Sequence, residues 1–332
     1  MNYSYFCGVD ISKQHLDFCL LDRAGALVIQ TRCRNAHKVI TKQLAKWPVD
    51  ELGHVLFCAE NTGMYGYHLA KAAETLGLSL WIEHPGQIKA CSGLQRGKTD
   101  PADAFRIAQY SRRYQDRAVL YMPLSRHLQH LCYLQSEREL LVGHRATYKG
   151  QLSDQCHHMD PHAYQQKARR LEAIIAVFDT QIADIDQRMA TLIGQHQQLQ
   201  QQNQLLQSIP GIGPRLALAV IILTKGFSRF DNPRAFCCYC GVAPFVWHSG
   251  DQVHTRGRVS HRADKRMKSL LHMGALAAIQ CPGELQHYYR RKCKEGKHKM
   301  SVINAVRSKL VHRMFAVIKR GKPYTPIACK IT

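Results

Sequence analysis

The feature that most constrains the fold is the order of strand-like and helix-like segments in the first third of the chain. Three short apolar runs come first, a polar helical stretch follows, and single strands then alternate with helices. Closely spaced strands form antiparallel hairpins and strands separated by helices pair in parallel, so this order predicts an α/β sandwich on a mixed sheet. The predicted strands are 5–9, 15–21, 26–31, 55–59 and 78–82, and the predicted helices are 37–46, 67–76 and 100–110.

Four acidic residues fall where such sheets place their functional sites. Asp10 and Glu60 stand at the C-terminal ends of predicted strands, and Asp100 and Asp103 lie in the first turn of a predicted helix. Residues three apart share a helical face, so the carboxylates of Asp100 and Asp103 point the same way. Pro101 suits an early helical position, and Asp100 taken alone could equally be an N-cap.

Together the four acids make an oxygen-rich ligand set. Hard cations such as Mg²⁺ or Mn²⁺ take carboxylate oxygens as ligands. Two such ions about 4 Å apart can stabilise both the attacking and the leaving oxygen in phosphoryl transfer. We therefore predict a site for Mg²⁺, or Mn²⁺, at Asp10, Glu60, Asp100 and Asp103.

Positive charge is concentrated in the last third of the chain. Lysine and arginine total 46 against 24 aspartate and glutamate, a net charge of +22. Residues 206–332 carry +18 of this, residues 1–120 carry +4, and residues 121–205 are balanced. Such a surplus predicts a polyanionic partner that contacts mainly the last third. The phosphate-contact candidates are Arg256, Arg258, Arg262, Lys265, Arg266, Lys268, Arg290, Arg291 and Lys292.

The cysteines and the N-terminus predict a reducing compartment. The 13 cysteines are scattered through apolar runs, where a free thiol packs as a small hydrophobe. The N-terminus has no signal-peptide pattern, and no apolar run has the length of a membrane span. Cys237 and Cys240 form a Cys-x-x-Cys pair, but no second paired motif completes a zinc site. We expect a cytoplasmic protein.

The middle of the chain predicts a long helical hairpin. Apolar residues recur at helical spacing over 124–148, and Pro161 interrupts the pattern. A heptad stripe then runs through Ile175, Phe178, Ile182, Ile185, Met189 and Leu192, with His196 and Leu199 continuing it. Heptads pair helices between chains as a coiled coil, although a helix that packs only within its own chain shows the same spacing.

The last third opens with a glycine turn at 208–214, between two helical stretches. The amides of Gly211 and Gly213 could approach a nucleic-acid phosphate there, as in a helix-hairpin-helix, although a plain tight turn has the same composition. Helices are predicted at 216–223, 233–240 and 265–279, followed by a basic helical region to 320. Ser249 precedes a glycine, in the manner of a turn serine.

Seven motifs, in order, resemble one protein family. The first three are 8–13 (GVDISK), 58–63 (CAENTG) and 98–104 (KTDPADA), and the others are 209–213, 229–230, 240–244 and 249–250. They resemble the RuvC-like DEDD transposases of the bacterial insertion sequence 110 family, which is related to the Piv DNA invertases. The resemblance covers nearly the whole chain, and the four acids match the ribonuclease H-like arrangement of nucleases and recombinases.

The resemblance implies three successive segments with different roles. It implies a RuvC-like catalytic domain over 1–120, a helical hairpin or coiled coil for oligomerisation over 121–205, and a mainly helical transposase domain over 206–332. By motif position, Ser249 is the nucleophile that attacks a DNA phosphate. The resemblance also implies that the partners of this chain are DNA and a structured noncoding guide RNA. It implies a homo-oligomer, either a dimer or a tetramer, that acts in the bacterial cytoplasm at the nucleoid.

Three other functions share these features. A Piv-type invertase has the same chemistry and differs in its DNA sites. A RuvC-like nuclease cuts branched DNA with metal-activated water, leaving Ser249 a bystander. A non-catalytic nucleic-acid-binding protein could keep the fold, but all four acids and the serine are present, which favours an enzyme.

Overall fold

The computed structural model describes residues 3–47, 52–91, 99–230, 232–245, 248–249, 253–254, 258–259 and 263–326, and for residues 245, 248–249, 253–254 and 258–259 it describes the backbone alone. The chain divides into two compact units, Met1–Pro123 and Leu124–Thr332. The predicted division into three segments stays a prediction. Among the described residues, no helix combines the length and the apolar character needed to cross a membrane.

The first unit is built on a five-stranded mixed sheet, as predicted. Its strands are β1 (Tyr5–Ile11), β2 (His15–Asp22), β3 (Leu27–Arg34), β4 (Val55–Glu60) and β5 (Ser79–Glu83), and its helices are α1 (His37–Leu44), α2 (Tyr67–Leu76), α3 (Pro85–Cys91) and α4 (Asp100–Arg113). The strand order is β3-β2-β1-β4-β5. The first three strands pair antiparallel, and β4 and β5 continue the sheet in parallel. The sequence did not predict α3.

Apolar side chains cover both faces of this sheet. Alternate residues of a strand point to opposite faces, so each buried strand contributes to two cores. One core contains Val9, Phe18 and Phe57 together with Ile40 of α1 and Leu69 of α2. On the other face, Phe6, Cys58 and Trp81 pack with Ile107 and Tyr110 of α4, and Cys19 and Leu21 pack with Ala104 and Ala108. Helix α4 therefore lies directly on the face that carries Asp10.

The second unit is mainly helical. Its helices are α5 (Arg126–Gln155), α6 (Pro161–Gly194), α7 (Gln197–Gln207), α8 (Pro214–Leu223), α9 (Pro233–Tyr239), α10 (Lys265–Gln280), α11 (Glu284–Lys294) and α12 (Lys299–Arg320). Four two-residue strands occur between α9 and α10, namely β6 (Pro244–Phe245), β7 (His248–Ser249), β8 (Val253–His254) and β9 (Arg258–Val259). The sequence did not predict these strands, which are too short to leave an alternating pattern.

Helices α5 and α6 form the predicted long hairpin within one chain. Tyr164 donates a hydrogen bond to the carbonyl of Leu152 near the tip (2.9 Å), and the guanidinium of Arg138 binds Asp186 nearer the base (2.6 Å). Four members of the heptad stripe, Ile175, Ile182, Ile185 and Met189, are buried. The stripe ends earlier than predicted, because α6 stops at Gly194 and α7 begins anew at Gln197. Pairing as a coiled coil between chains stays a prediction.

Candidate active site

A row of charged residues crosses the sheet on the face covered by α4. Asp10 of β1 lies opposite Asp17 of β2, and Asp17 lies opposite Arg32 of β3. On the other side, Glu60 of β4 lies opposite Glu83 of β5. Directly opposed residues share a face, so the strands carry acids and one arginine at one level of the sheet.

A close approach at Gly8 brings the first turn of α4 to this row. A Cβ atom at Gly8 would lie 2.0 Å from the carbonyl oxygen of Ala104 and 2.2 Å from the nitrogen of Ala108. Only glycine leaves room for the helix backbone to touch the strand. Because Gly8 is two residues before Asp10, this contact sets how closely Asp100 and Asp103 approach the sheet.

We expect Gly8→Ala to destabilise the first unit by about 3 kcal/mol or more, because the added methyl group overlaps backbone atoms that cannot rotate away. Urea unfolding followed by tryptophan fluorescence measures this, since Trp81 packs against Tyr110 of α4 at 5.2 Å between ring centroids. The matched control is Gly53→Ala, where a Cβ atom meets nothing within 4 Å. Equal stability of the two variants would contradict the proposed packing.

Asp10 is the electrostatic centre of the candidate site. Burial, which has the largest effect, and the nearby charges of Asp103, Asp100, Glu60 and Asp17 together raise the pKa of its carboxyl group to about 6. The other three predicted acids therefore lie near enough to Asp10 to act on its charge, although the four come from three separate stretches of the chain. Like charges that repel at one point favour a bound cation.

Arginines hold the two acids of α4. The guanidinium of Arg32 binds the carboxylate of Asp100 and that of Arg106 binds Asp103, each at 2.6 Å. Thr99, not Asp100, is the N-cap residue, so capping does not account for Asp100. Within the described part of the chain, no three His, Cys, Asp or Glu side chains are grouped closely enough to hold a metal ion. The carboxylate oxygens of the four acids are suitable ligands for a hard cation. In this structure, however, the carboxylates of Asp100 and Asp103 are bound to arginines.

The predicted nucleophile lies on β7 of the second unit. The backbone of Ser249 pairs with Val253 of β8 in a short antiparallel ladder. Its side chain lies outside the described residues, as do Arg256, Arg262 and the side chain of Arg258. The role of Ser249 stays a prediction.

The glycine turn before α8 has a packing role at Gly211. This residue has φ +90°, and a Cβ atom there would lie 2.4 Å from the carbonyl oxygen of Gly274 and 2.6 Å from the Cβ atom of Ala278. The turn therefore packs on α10. Gly213 is exposed and is the N-cap residue of α8. Contact of either glycine with a phosphate stays a prediction, as does a helix-hairpin-helix.

The remaining basic candidates lie on α10 and α11. Lys265 is exposed at the first position of α10, Lys268 is half-buried one turn on, and Arg266 forms an ion pair with Glu139 of α5. On α11, Lys292 pairs with Glu295 at 2.6 Å and Arg291 with the same carboxylate at 3.7 Å, whereas Arg290 is exposed. Their contacts with nucleic acid stay predictions.

Sequence reasoning missed three charged residues of the row. Asp17 is 5% exposed in a strand that is otherwise apolar, and an acid in such a strand is a signal for a partner. Arg32 is that partner. The carboxylate of Glu83 accepts hydrogen bonds from the hydroxyl of Tyr110 (3.2 Å) and the amide of His84 (2.6 Å). Glu83 also follows a strand, as Asp10 and Glu60 do, so the same rule could have found it.

Acids gathered on a mixed sheet, joined in one chain to a basic helical unit, define a class: enzymes that transfer phosphoryl groups in nucleic acids. A family model described as "Transposase IS116/IS110/IS902 family" matches residues 203–290. A second, the DEDD transposase model of the same group, matches residues 7–159. The two matches together cover well over half of the chain. The chain belongs to the IS110 family of transposases and is a DNA recombinase of that family.

Individual relatives agree with this assignment. The pilin gene-inverting protein of Moraxella lacunata is 25% identical over 334 residues, which cover 96% of this chain and 97% of the relative. An insertion element IS116 protein of Streptomyces clavuligerus is 24% identical over 123 residues, 37% of this chain and 31% of that protein. T. thermophilus RuvC, solved in complex with a Holliday junction substrate, matches 35% of this chain and 96% of its own at 12% identity and a TM-score of 0.27. The assignment rests on the sequence family, since that TM-score is too low to carry it.

Proposed function

We propose that this enzyme excises and inserts its own insertion sequence, with Ser249 as the nucleophile. Membership of a DEDD transposase family implies that it uses a divalent metal, and we propose Mg²⁺, held by Asp10, Glu60, Asp100 and Asp103. The observation that carries the proposal is that Asp10 and Glu60 stand on neighbouring strands of one sheet face, on which α4, with Asp100 and Asp103 in its first turn, is packed.

The covalent step belongs to the serine. Its hydroxyl oxygen attacks a phosphodiester, so that a bond forms between the oxygen of Ser249 and phosphorus. One bond from phosphorus to a nucleoside oxygen breaks, and the serine proton ends on the departing oxygen. The chemistry supplied by bound Mg²⁺ is neutralisation of the charge on the phosphoryl oxygens. Because one phosphate ester replaces another, the linkage retains the bond energy needed to rejoin DNA strands.

The proposed partners are DNA, a guide RNA and further copies of the chain. The charge of +18 on residues 206–332 suits either nucleic acid, because phosphate contacts carry no sequence information. The structured noncoding RNA is implied by the family resemblance. Strand exchange needs at least two subunits at each crossover, which favours a dimer or tetramer. We place this oligomer in the bacterial cytoplasm, at the nucleoid.

A second candidate function is site-specific inversion. The Moraxella lacunata relative named for gene inversion matches over nearly its whole length, whereas the Streptomyces clavuligerus insertion-element relative matches over about a third. Both functions use the same strand-transfer chemistry and differ in which DNA ends are joined. A nuclease that cuts branched DNA by metal-activated water is a third outcome of the test.

The test supplies the full-length protein in trans to a plasmid that carries the gene's native flanks on both sides of a marker. We expect sequenced junctions in which the flanks are precisely rejoined and the marker is moved to a new site. Junctions with the marker reversed in place would establish inversion instead. Cut ends without any junction would leave only the nuclease. Asp103→Asn serves as the inactive control.

The guide RNA is tested with the same reporter. We expect RNA that maps to the native flanks to copurify with the protein, and RNase treatment to abolish junction formation in vitro. Full recombination by protein free of RNA would contradict the RNA part of the proposal and leave the DNA chemistry intact.

A further inference from the structure

The first turn of α4 is fastened to the edge strand β3. The guanidinium of Arg32 donates from Nη2 to Oδ2 of Asp100 at 2.6 Å. Two residues earlier on the same face of β3, the amide of Gln30 donates to the carbonyl of Pro101 at 3.2 Å. Both contacts join α4 to β3 at its first turn, where the two acids of the helix lie.

Arg32 is itself oriented from the interior of the sheet. Its Nε donates to both carboxylate oxygens of Asp17, at 2.9 and 3.1 Å, and Asp17 is 5% exposed. A carboxylate that is buried to this extent needs a charged, hydrogen-bonded partner. The planar guanidinium presents its donors in a fixed fork, so binding Asp17 fixes the direction in which its remaining N–H groups point.

This arrangement links Asp100 to Asp10 through the sheet. Asp17 lies opposite Asp10 on the neighbouring strand, and Arg32 lies opposite Asp17 on the next. Backbone pairing therefore fixes the position of Arg32 relative to Asp10. Through its hydrogen bond to Asp100, the guanidinium of Arg32 then fixes the position of the Asp100 carboxylate relative to Asp10.

We propose that Asp17 and Arg32 are positioning residues that fix the carboxylate of Asp100 for metal binding. The inference rests on the metal site of the proposed function. Asp17 and Arg32 carry opposite charges, so the pair as a whole adds no net charge to the site. Its contribution is geometric, which makes it separable from simple electrostatics.

The test compares variants of the full-length protein by titration with Mn²⁺, following the free-ion signal by electron paramagnetic resonance. The double variant Asp17→Asn/Arg32→Gln keeps the net charge of the site, and we expect its dissociation constant for Mn²⁺ to rise at least tenfold. Arg32→Lys, which keeps the charge and loses the fork, should fall between the wild type and the double variant. The matched control is Lys71→Gln/Glu74→Gln, which removes an exposed ion pair of α2.

Hydrogen–deuterium exchange provides a readout that does not require metal. In the double variant, the amide of Asp103, which donates to the carbonyl of Thr99, and the amides of the second turn of α4 should exchange at least tenfold faster, while those of β1 keep their protection. Unchanged Mn²⁺ affinity would overturn the proposal. Tighter Mn²⁺ binding would also overturn it, because Arg32 would then compete with the cation for Asp100.

The same titration separates this inference from the proposed site. Asp10→Asn is expected to weaken Mn²⁺ binding whatever Arg32 does. If Asp10→Asn binds Mn²⁺ as the wild type does, the four-carboxylate site itself is wrong. If only the Asp17→Asn/Arg32→Gln variant is unaffected, the site stands and the positioning role fails.

Discussion

Asp10→Asn is expected to lower DNA strand transfer at least about a thousandfold while making the metal-free protein more stable. The activity loss follows because a metal–carboxylate interaction contributes several kcal/mol to phosphoryl transfer, and each 1.36 kcal/mol is a factor of ten. The stability gain follows because burial, first, and the charges of Asp103, Asp100, Glu60 and Asp17 both disfavour the ionised carboxylate of Asp10. Asparagine removes that charge at nearly constant volume.

The pH dependence of the stability gain has a definite sign. In the fold the pKa of Asp10 is about 6, against an ordinary value of 3.8, so between these values the folded state binds the extra proton. The destabilisation of the fold by the ionised carboxylate of Asp10 is therefore absent below about pH 4 and complete above about pH 6. A shift of this size is worth about 3 kcal/mol, and solvent screening of this half-buried group reduces it to about 1–2 kcal/mol.

Thermal unfolding without divalent ions measures this effect. At pH 7.5 we expect Asp10→Asn to raise the transition of the first unit by roughly 4–8 °C, and at pH 4 to leave it unchanged. Mg²⁺ should stabilise the wild type more than the variant. The control is Asp116→Asn, which removes an acid 73% exposed at its side chain, beside Arg117. A lower transition temperature for Asp10→Asn at pH 7.5 would contradict the charge cluster.

Ser249→Ala is expected to abolish recombination and every covalent protein–DNA species, with DNA binding retained. A hydroxyl nucleophile has no substitute in alanine, and loss of a nucleophile typically costs on the order of a millionfold in rate. Trapping on DNA that carries the native junctions, followed by denaturing electrophoresis, detects the adduct. Filter binding measures retained affinity.

The control for Ser249→Ala is Ser136→Ala, because the hydroxyl of Ser136 only donates to the carbonyl of Cys132 on α5 (2.9 Å). It should recombine as the wild type does. If Ser249→Ala still cleaves DNA and releases free ends, the nucleophile is water and the nuclease reading is correct. If it forms the adduct, another side chain is the nucleophile.

Much of the first unit was predictable because its periodicities are local. Strand-length runs, a turn at 22–25 and helices closed by glycine or proline specify the mixed sheet, and four acids were found by their position at strand ends and at a helix start. The row of charged residues beside these acids depends on the register in which β2 pairs with β3. If the pairing of Leu21 with Leu27 continued without irregularity, Thr31 would lie opposite Asp17 and the side chain of Arg32 would be on the other face of the sheet.

A bulge decides that register. The pairing of β2 with β3 shifts between Leu20 and Leu21, which moves Asp17 to a position opposite Arg32. No local residue pattern specifies such a shift, because it is selected by how the two faces pack. The pairing of Asp100 with Arg32 was likewise hidden, since the two residues are 68 apart along the chain. The pairing of Asp103 with Arg106 was not, because residues three apart on a helix are neighbours. Ser249 was reached only by family resemblance, because a serine before glycine is ordinary turn composition.

The α5–α6 hairpin gives the second unit a fixed measure of length. A helix of 30 residues, such as α5, spans about 45 Å at 1.5 Å per residue. B-DNA rises 3.4 Å per base pair, so this corresponds to roughly 13 base pairs. Residues 121–205 have no net charge, so the hairpin as a whole has little electrostatic attraction for a polyanion. The tip of the hairpin is therefore separated from its base by a length close to that of about 13 base pairs.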